Sequence, residues 1–505
     1  MTHSFIASYD FGTSGVKATF INLKGEVCGS SDATYSLITP NPGWAEQDPN
    51  EYWSAACLAT KKVMKKLGAS PSEVQGIVFG TQWKGIIPID EDGEVLYNTI
   101  IWLDGRADKQ AKILNNRLGI NAMYDREYWP KLMWIKEEMP ELYNKTKCFL
   151  EVNSYLKFLA TGVKAVDLTN NFILSTNQNL QDYYNRILVA SGLDKEKFPP
   201  LVLPTELVGG LTEKASEELG LDPGTPVFGG CGDIPAIAIG SGSSRLGGNH
   251  IYLGSSGWFG TVIPERKSDI GELYQTFGMD KDLMIYPIQS ACMTLNWAIS
   301  QFYKVEKEIM GEDIFTLIDK ELADVHPGSL NMIATPWIHG ELRPLSNNAK
   351  AVFFNITNQH ERRHFLSAIM EGICYMLRWK IEIYQRETGK SLDSINVVGG
   401  GACSDPWMQI MANVLQIPVS VPSNPQHAGA VGAAYCAMIG LGIYEDFEEA
   451  DERIMKDRIF LPRDEHLATY DRLFSVFKRI YPSLKDMYET LNNHVNAEDV
   501  ITSKL

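Results

Sequence analysis

Two short stretches of the chain share one pattern. Asp10-Phe-Gly-Thr-Ser-Gly-Val-Lys-Ala-Thr-Phe20 and Leu253-Gly-Ser-Ser-Gly-Trp-Phe-Gly-Thr-Val-Ile263 each read as a strand, a Gly-[Thr/Ser]-Ser-Gly turn and a second strand. Two hairpins about half a chain apart point to two related lobes, with coincidence of two Gly/Ser turns as the alternative. The first continues as a meander: Ser4–Asp10, Val16–Asn22 and Glu26–Tyr35 are strand-like and joined by tight Gly turns. At 505 residues the chain is too long for one compact core, so at least two domains are expected.

The two turns also suggest chemistry. Backbone N–H groups and hydroxyls at Gly12, Thr13, Ser14, Gly254 and Ser255 suit phosphate oxygens, and glycine lets the main chain approach without a Cβ in the way. Taken alone, either loop reads first as an ordinary hairpin turn. Asp10, just before the first loop, suits a Mg²⁺ ion held through its water shell, and Lys17 just beyond it suits phosphate charge or plain solvation. Gly399-Gly-Gly-Ala402, between the strand Ser394–Val398 and a helix starting near Ser404-Asp405-Pro406, resembles a nucleotide loop. The chain has neither G-x-x-x-x-G-K-[ST] nor G-x-G-x-x-G, which argues against P-loop and Rossmann chemistry. In Gly229-Gly-Cys-Gly-Asp-Ile-Pro-Ala236, Asp233 is either a helix cap or a general base, and the local pattern favours neither.

Composition narrows the partners. A formal charge of −16 without a Lys/Arg block argues against nucleic acid or an anionic membrane. The eight cysteines form no C-x-x-C pair and read as reduced, mostly buried small hydrophobes. Met1-Thr2-His3-Ser4 does not resemble a signal peptide, and no stretch reads as a bilayer span, so a cytoplasmic protein is expected. Helices are expected around Trp53–Leu67 and over Glu361–Arg386. The Gly/Ser-rich run Ser241–Gly248 reads as a linker, which gives lobes over 1–246 and 247–448 and a charged helical extension over 449–505.

Taken together, six stretches resemble the FGGY carbohydrate kinases, within the superfamily of actin, hexokinase and the heat-shock ATPases. They are Asp10-Phe-Gly-Thr-Ser, Trp102-Leu-Asp-Gly-Arg106, Gly230-Cys-Gly-Asp233, Leu253-Gly-Ser-Ser-Gly257, Gly340-Glu-Leu-Arg-Pro344 and Gly399-Gly-Gly-Ala402. Each is weak alone; their shared order is specific, and the similarity runs from Ile6 to about Gly442. Within the family, xylulokinases are most similar, through Ile101–Arg106 and the segment from Gly340 to Phe354.

The resemblance implies an α/β fold of two ribonuclease-H-like (actin-like ATPase) lobes around a central cleft. It implies ATP and Mg²⁺ as cofactors and a small sugar as acceptor, D-xylulose going to D-xylulose 5-phosphate, or another ketopentose, polyol or sugar acid. Asp233 would be the general base, with Asp10 and Asp233 at the metal. Gly12, Thr13, Ser14, Lys17, Gly254 and Ser255 would face the phosphates, and Gly400, Gly401 and Asp405 the adenosine. Trp83, Lys84, Asp104, Asp233 and Ile234 would contact the sugar. Xylulokinases usually carry Met-His at 83–84 and Asn at 234; here Lys84 adds a cation that suits an acidic sugar or a hydroxyl. A non-catalytic sugar sensor and a chaperone-like ATPase are the rival readings. The first is opposed by Asp10 and Asp233 together, the second by a tail too short for a peptide-binding module. Monomer and homodimer both stay open.

Overall fold

The computed structural model describes residues 4–267, 274–278, 280–342 and 344–492. Arg343 of the 340–344 motif and residues 493–505 of the expected extension lie outside them. The chain divides into two compact units: Met1–Gly248 with Thr261–Met284 and His427–Ile454, and Asn249–Gly260 with Ile285–Gln426 and Met455–Leu505.

The first unit is built on a sheet with strands in the order Leu207–Gly210, Pro226–Phe228, Val74–Thr81, Phe5–Phe11, Gly15–Asn22 and Val27–Thr34. The opening three strands are the expected antiparallel meander. Val74–Thr81 runs parallel to Phe5–Phe11 and to Pro226–Phe228, and Cys231–Gly232 adds to it in parallel. Phe5–Phe11 is buried almost throughout, as a central strand of such a sheet must be. The helix Pro49–Leu67 covers the meander with Tyr52, Trp53, Ala56 and Val63. Asp48 caps its start by accepting from the Asn50 N–H at 2.9 Å, and Gly68 ends it at φ +63°.

A second sheet runs Lys281–Ile288, Gly257–Pro264, Asn249–Leu253, Ile395–Val398, Val419–Pro422 and Lys456–Phe460. Ile395–Val398 is parallel to both of its neighbours. In each sheet the third, second and first strands of the hairpin region are followed by two later parallel strands. The echo between the two Gly/Ser turns is thus an echo of topology, which chance pairing of two turns does not produce.

Two helices of small residues pack closely in the first unit. A β-carbon at Gly432 would stand 1.8 Å from the Ala236 carbonyl oxygen, and one at Gly240 would stand 1.9 Å from that of Ala428. The helices Asp233–Gly240 and Ala428–Gly440 therefore touch backbone to backbone, which only glycine permits. This contact explains why residues 427–454 belong with the first unit although they lie late in the chain.

Two local expectations need correction. The run Ser241–Gly248 is not a loose linker: Ser241, Ser243 and Ser244 are buried, and the Ser244 N–H donates to Asp451 at 2.8 Å. The charged tail is not wholly helical. Lys456–Phe460 is a strand antiparallel to Val419–Pro422, and its charge disguised it because an outermost strand exposes much of its surface. The remainder forms the helix Asp464–Asn492.

Candidate active site

Asp10 and the first turn are set by the hairpin. Register places Asp10 opposite Lys17, so both side chains leave the same face of the sheet. The Gly12 N–H donates to the Gly15 carbonyl at 3.0 Å, and a β-carbon at Gly15 would lie 2.6 Å from the Ala33 oxygen. Gln47 Nε2 donates to the Thr13 carbonyl at 2.7 Å, and Trp102 Nε1 donates to Thr13 Oγ1 at 3.1 Å. Thr13 keeps its own hydroxyl proton, and the Ser14 side chain is exposed. Gly429 in the first turn of Ala428–Gly440 faces the carboxylate: a β-carbon there would stand 3.0 Å from Asp10 Oδ2.

Asp233 reaches the same strand cluster from the other side of Val74–Thr81. Gly80 pairs with Asp10 in one direction and with Cys231 in the other. Asp233 is the first residue of the helix Asp233–Gly240, after Gly232 in the capping position, and its Oδ1 accepts from the Ile234 N–H at 2.9 Å. The capping position itself is Gly232, which has no side chain, so Asp233 serves the first turn only through this bond to Ile234. Both carboxyls are partly exposed yet deep in protein on their other sides. Burial first, then the negative charge of Asp10, pushes Asp233 up to about 7. Asp10 is itself raised by burial, with Lys17 opposing the shift.

Lys84 sits in a strained turn, at φ +62° without being glycine. Its ammonium forms a 2.6 Å ion pair with Glu127 and lies 4.5 Å from the centroid of the Trp83 ring. Trp83 packs on Phe172, and Phe172 on Tyr128. Behind them Lys131 donates to the Lys84 carbonyl at 2.9 Å and the Ile101 carbonyl at 3.0 Å, and burial pushes its ammonium down to about 7. Ile234 is partly exposed beside Asp233.

Asp104 lies near Lys131 but is enclosed by its own partners. Its side chain is 0% exposed, with Oδ2 accepting from the Ala45 N–H at 2.6 Å and from Arg106 at 2.7 Å. Arg106 also bonds Glu46 at 2.6 Å and lies over the Trp44 ring at 3.8 Å. Asp104 fixes the fold of its loop and has no face left for a sugar. Nothing in the local sequence distinguishes a ligand carboxylate from one closed by its own neighbour two residues on.

The second unit brings its two expected loops together. A β-carbon at Gly399 would stand 2.4 Å from the Leu253 oxygen, and one at Gly401 would lie 2.9 Å from the Leu253 β-carbon and 2.7 Å from the Trp407 ring. The turn at Gly254–Ser255 is therefore packed against the Gly-rich loop. Its carbonyls accept from the Ala291, Cys292 and Met293 N–H groups at the start of the helix Cys292–Phe302, and the Ser255 side chain is exposed. A β-carbon at Gly400 would meet nothing within 4 Å, so that position is open. Ser404 caps the helix Asp405–Leu415. Asp405 is paired with Arg458, which also donates to the Ala402 carbonyl at 2.9 Å.

Glu127, Gly429 and Arg458 were missed from the sequence. Only Gly429 left a signal there, in the Ala/Gly run 428–434, whose small residues announce a close backbone approach.

Two models of one family cover this arrangement: the N-terminal domain of the FGGY family of carbohydrate kinases matches residues 5–240, and its C-terminal domain matches 250–441. The chain belongs to the FGGY family of carbohydrate kinases. It is 29% identical to the xylulose kinase of Bacillus subtilis (strain 168), over 97% of this chain and 99% of that protein. It is also 24% identical to a gluconokinase of Bacillus licheniformis, over 97% and 98%. The fold matches that of a ligand-bound xylulose kinase from Lactobacillus acidophilus with a TM-score of 0.81 at 23% identity, covering 97% of this chain and 100% of that one. Among the described residues no helix is long and apolar enough to cross a membrane.

Proposed function

We propose that the chain transfers the γ-phosphate of ATP to the terminal primary hydroxyl of D-xylulose, giving D-xylulose 5-phosphate, with Asp233 as the general base. The observation that carries this reading is the Asp233 carboxyl, pushed up to about 7. An ordinary carboxylate holds a proton too weakly to draw one from an alcohol; a raised one matches the task better near neutrality. The similarity to xylulose kinases supports the acceptor.

The sugar-side residues fit a neutral polyol. Lys84 is already compensated by Glu127, so the pair offers a donor and an acceptor to hydroxyls rather than a free cation to a carboxylate. Trp83 supplies an apolar face, and Ile234 borders the base. An aldonate would gain little from Lys84 and would meet Asp10 and Asp233.

In this reading Asp233 activates the acceptor and the Gly-rich loop borders the adenosine. Gly12, Thr13, Ser14 and Lys17 would hold phosphate oxygens, as would Gly254 and Ser255. Gly400, open above its Cα, and Gly401 would border the base or ribose, with Asp405 held in place by Arg458. Phosphoryl transfer of this kind rests on positioning and charge neutralisation, not covalent catalysis.

Asp10 and Asp233 also fit Mg²⁺. They are two hard oxygen donors whose mutual repulsion a divalent cation relieves. Among the described residues no cluster of three or more His, Cys, Asp or Glu forms a ready cage. That agrees with an ion taking one or two carboxylates and completing its shell with phosphate and water. When bound, it neutralises charge on the transferring phosphoryl group.

Coupled ADP release over D-xylulose, D-ribulose, glycerol and gluconate tests the substrate. The highest kcat/KM is expected with D-xylulose; a preference for gluconate would reject the neutral-sugar reading.

A further inference from the structure

The residue before the base is held by a chain of hydrogen bonds that starts far away in sequence. Asp167 precedes the short turn Leu168–Asn170 and is 0% exposed. Its Oδ1 accepts from the Thr169 N–H at 2.9 Å, the Thr169 hydroxyl at 2.6 Å and the Asn170 N–H at 3.1 Å. Its Oδ2 accepts from Asn170 Nδ2 at 2.8 Å. Thr169 Oγ1 in turn accepts from the Gly232 N–H at 2.8 Å.

The direction of these bonds is forced. A hydroxyl has one proton, and the carboxylate of Asp167 takes it. The lone pairs of Thr169 Oγ1 are then left for the amide of Gly232. Charge at Asp167 polarises the hydroxyl and strengthens the second bond. Gln275 Nε2 donates to the Thr169 carbonyl and fixes the turn from behind. Asn170 lies close on the side of the Gly232 Cα, where a β-carbon would stand 3.2 Å from Asn170 Oδ1. The hydrogen bond to Thr169 thus holds the Gly232 amide at the capping position of the helix that carries Asp233.

We infer that Asp167 and Thr169 are positioning residues for phosphoryl transfer, aiming the Asp233 carboxyl through the Gly232 amide. This rests on the reading of Asp233 as the base. Neither residue touches substrate in this account. Their loss acts on the step in which the proton leaves the sugar, with little effect on nucleotide binding. Misplacing a reacting group by about 1 Å costs on the order of 10²-fold in rate.

The test compares Thr169→Val, Thr169→Ser and Asp233→Asn in the full chain. The acceptor is whichever of D-xylulose, D-ribulose, glycerol and gluconate turns over fastest in the unaltered protein. Thr169→Val keeps the side-chain shape and removes the hydroxyl; kcat is expected to fall roughly 10- to 100-fold, with KM for ATP within about twofold. Thr169→Ser restores the hydroxyl and should return kcat to within about threefold of the unaltered protein. Should Thr169→Val not fold, Asp167→Glu keeps the acceptor but moves it by one methylene, and the same kcat-selective loss is expected. Unchanged kcat in the valine variant, or a loss that serine does not rescue, overturns the inference while leaving Asp233 as base. Turnover retained by Asp233→Asn overturns the base assignment and the inference together.

Discussion

The Lys84 ammonium stands 2.6 Å from the Glu127 carboxylate and 4.5 Å from the centroid of the Trp83 ring, so under the proposed function this ion pair would set the charge that a sugar meets. With Glu127 present the cation is compensated. Glu127→Gln leaves it free, so kcat/KM for gluconate should rise relative to that for D-xylulose. Competition between the two sugars measures the ratio directly. A ratio that stays constant places Lys84 outside sugar recognition.

If Asp233 is the base, as proposed, its carboxyl gives the enzyme an acid limb. The base works ionised, so kcat/KM should fall as pH drops through about 7, the value to which burial and Asp10 raise Asp233. Asp10→Asn removes the like charge, which eases ionisation of Asp233 and moves the limb to lower pH. The same shift acts on stability with a definite sign. The folded form of Asp233 binds its proton more tightly than the unfolded chain, so its contribution to stability declines as pH rises from about 4 to about 7. Asp233→Asn should therefore raise Tm at pH 8 and change it little at pH 4, which calorimetry can read.

Gly401 has no room for a side chain. A β-carbon there would lie 2.7 Å from the Trp407 ring and 2.9 Å from the Leu253 β-carbon. Gly401→Ala should cost about 1–3 kcal/mol in denaturant unfolding through overpacking. It should also raise KM for ATP more than KM for sugar if, as proposed, the loop that shifts borders the adenosine.

Arg106 is enclosed. Its side chain is 0% exposed, between Asp104 and Glu46, with the Trp44 ring 3.8 Å away and the Trp134 ring 4.8 Å away. Arg106→Met strands two buried carboxylates and should cost about 3–5 kcal/mol. Urea midpoints measure it. A loss of activity without that loss of stability would return Asp104 to the sugar site.

What the sequence revealed was whatever chemistry requires side by side. Asp10 beside a Gly-Thr-Ser-Gly turn, Asp233 after glycines, and glycines between a strand and a helix are local patterns, legible without tertiary structure. The partners joined by tertiary structure were invisible. Glu127 meets Lys84, Arg458 meets Asp405, and Thr169 meets Gly232 across long stretches of chain, with no spacing rule linking them. Lys456–Phe460 was hidden because its exposed, charged surface imitates a helical tail. Asp104 misled for the opposite reason: its motif is local, but the residue that satisfies it is its own neighbour Arg106.

The most direct measurement is single-turnover phosphorylation of D-xylulose by the unaltered protein and by Asp233→Asn, with ATP affinity determined alongside. The account predicts a rate loss of at least about 10²-fold in the variant, the low end for removing a general base, with nucleotide binding nearly unchanged. Product formed by the variant at a rate within a few-fold of the original would contradict it.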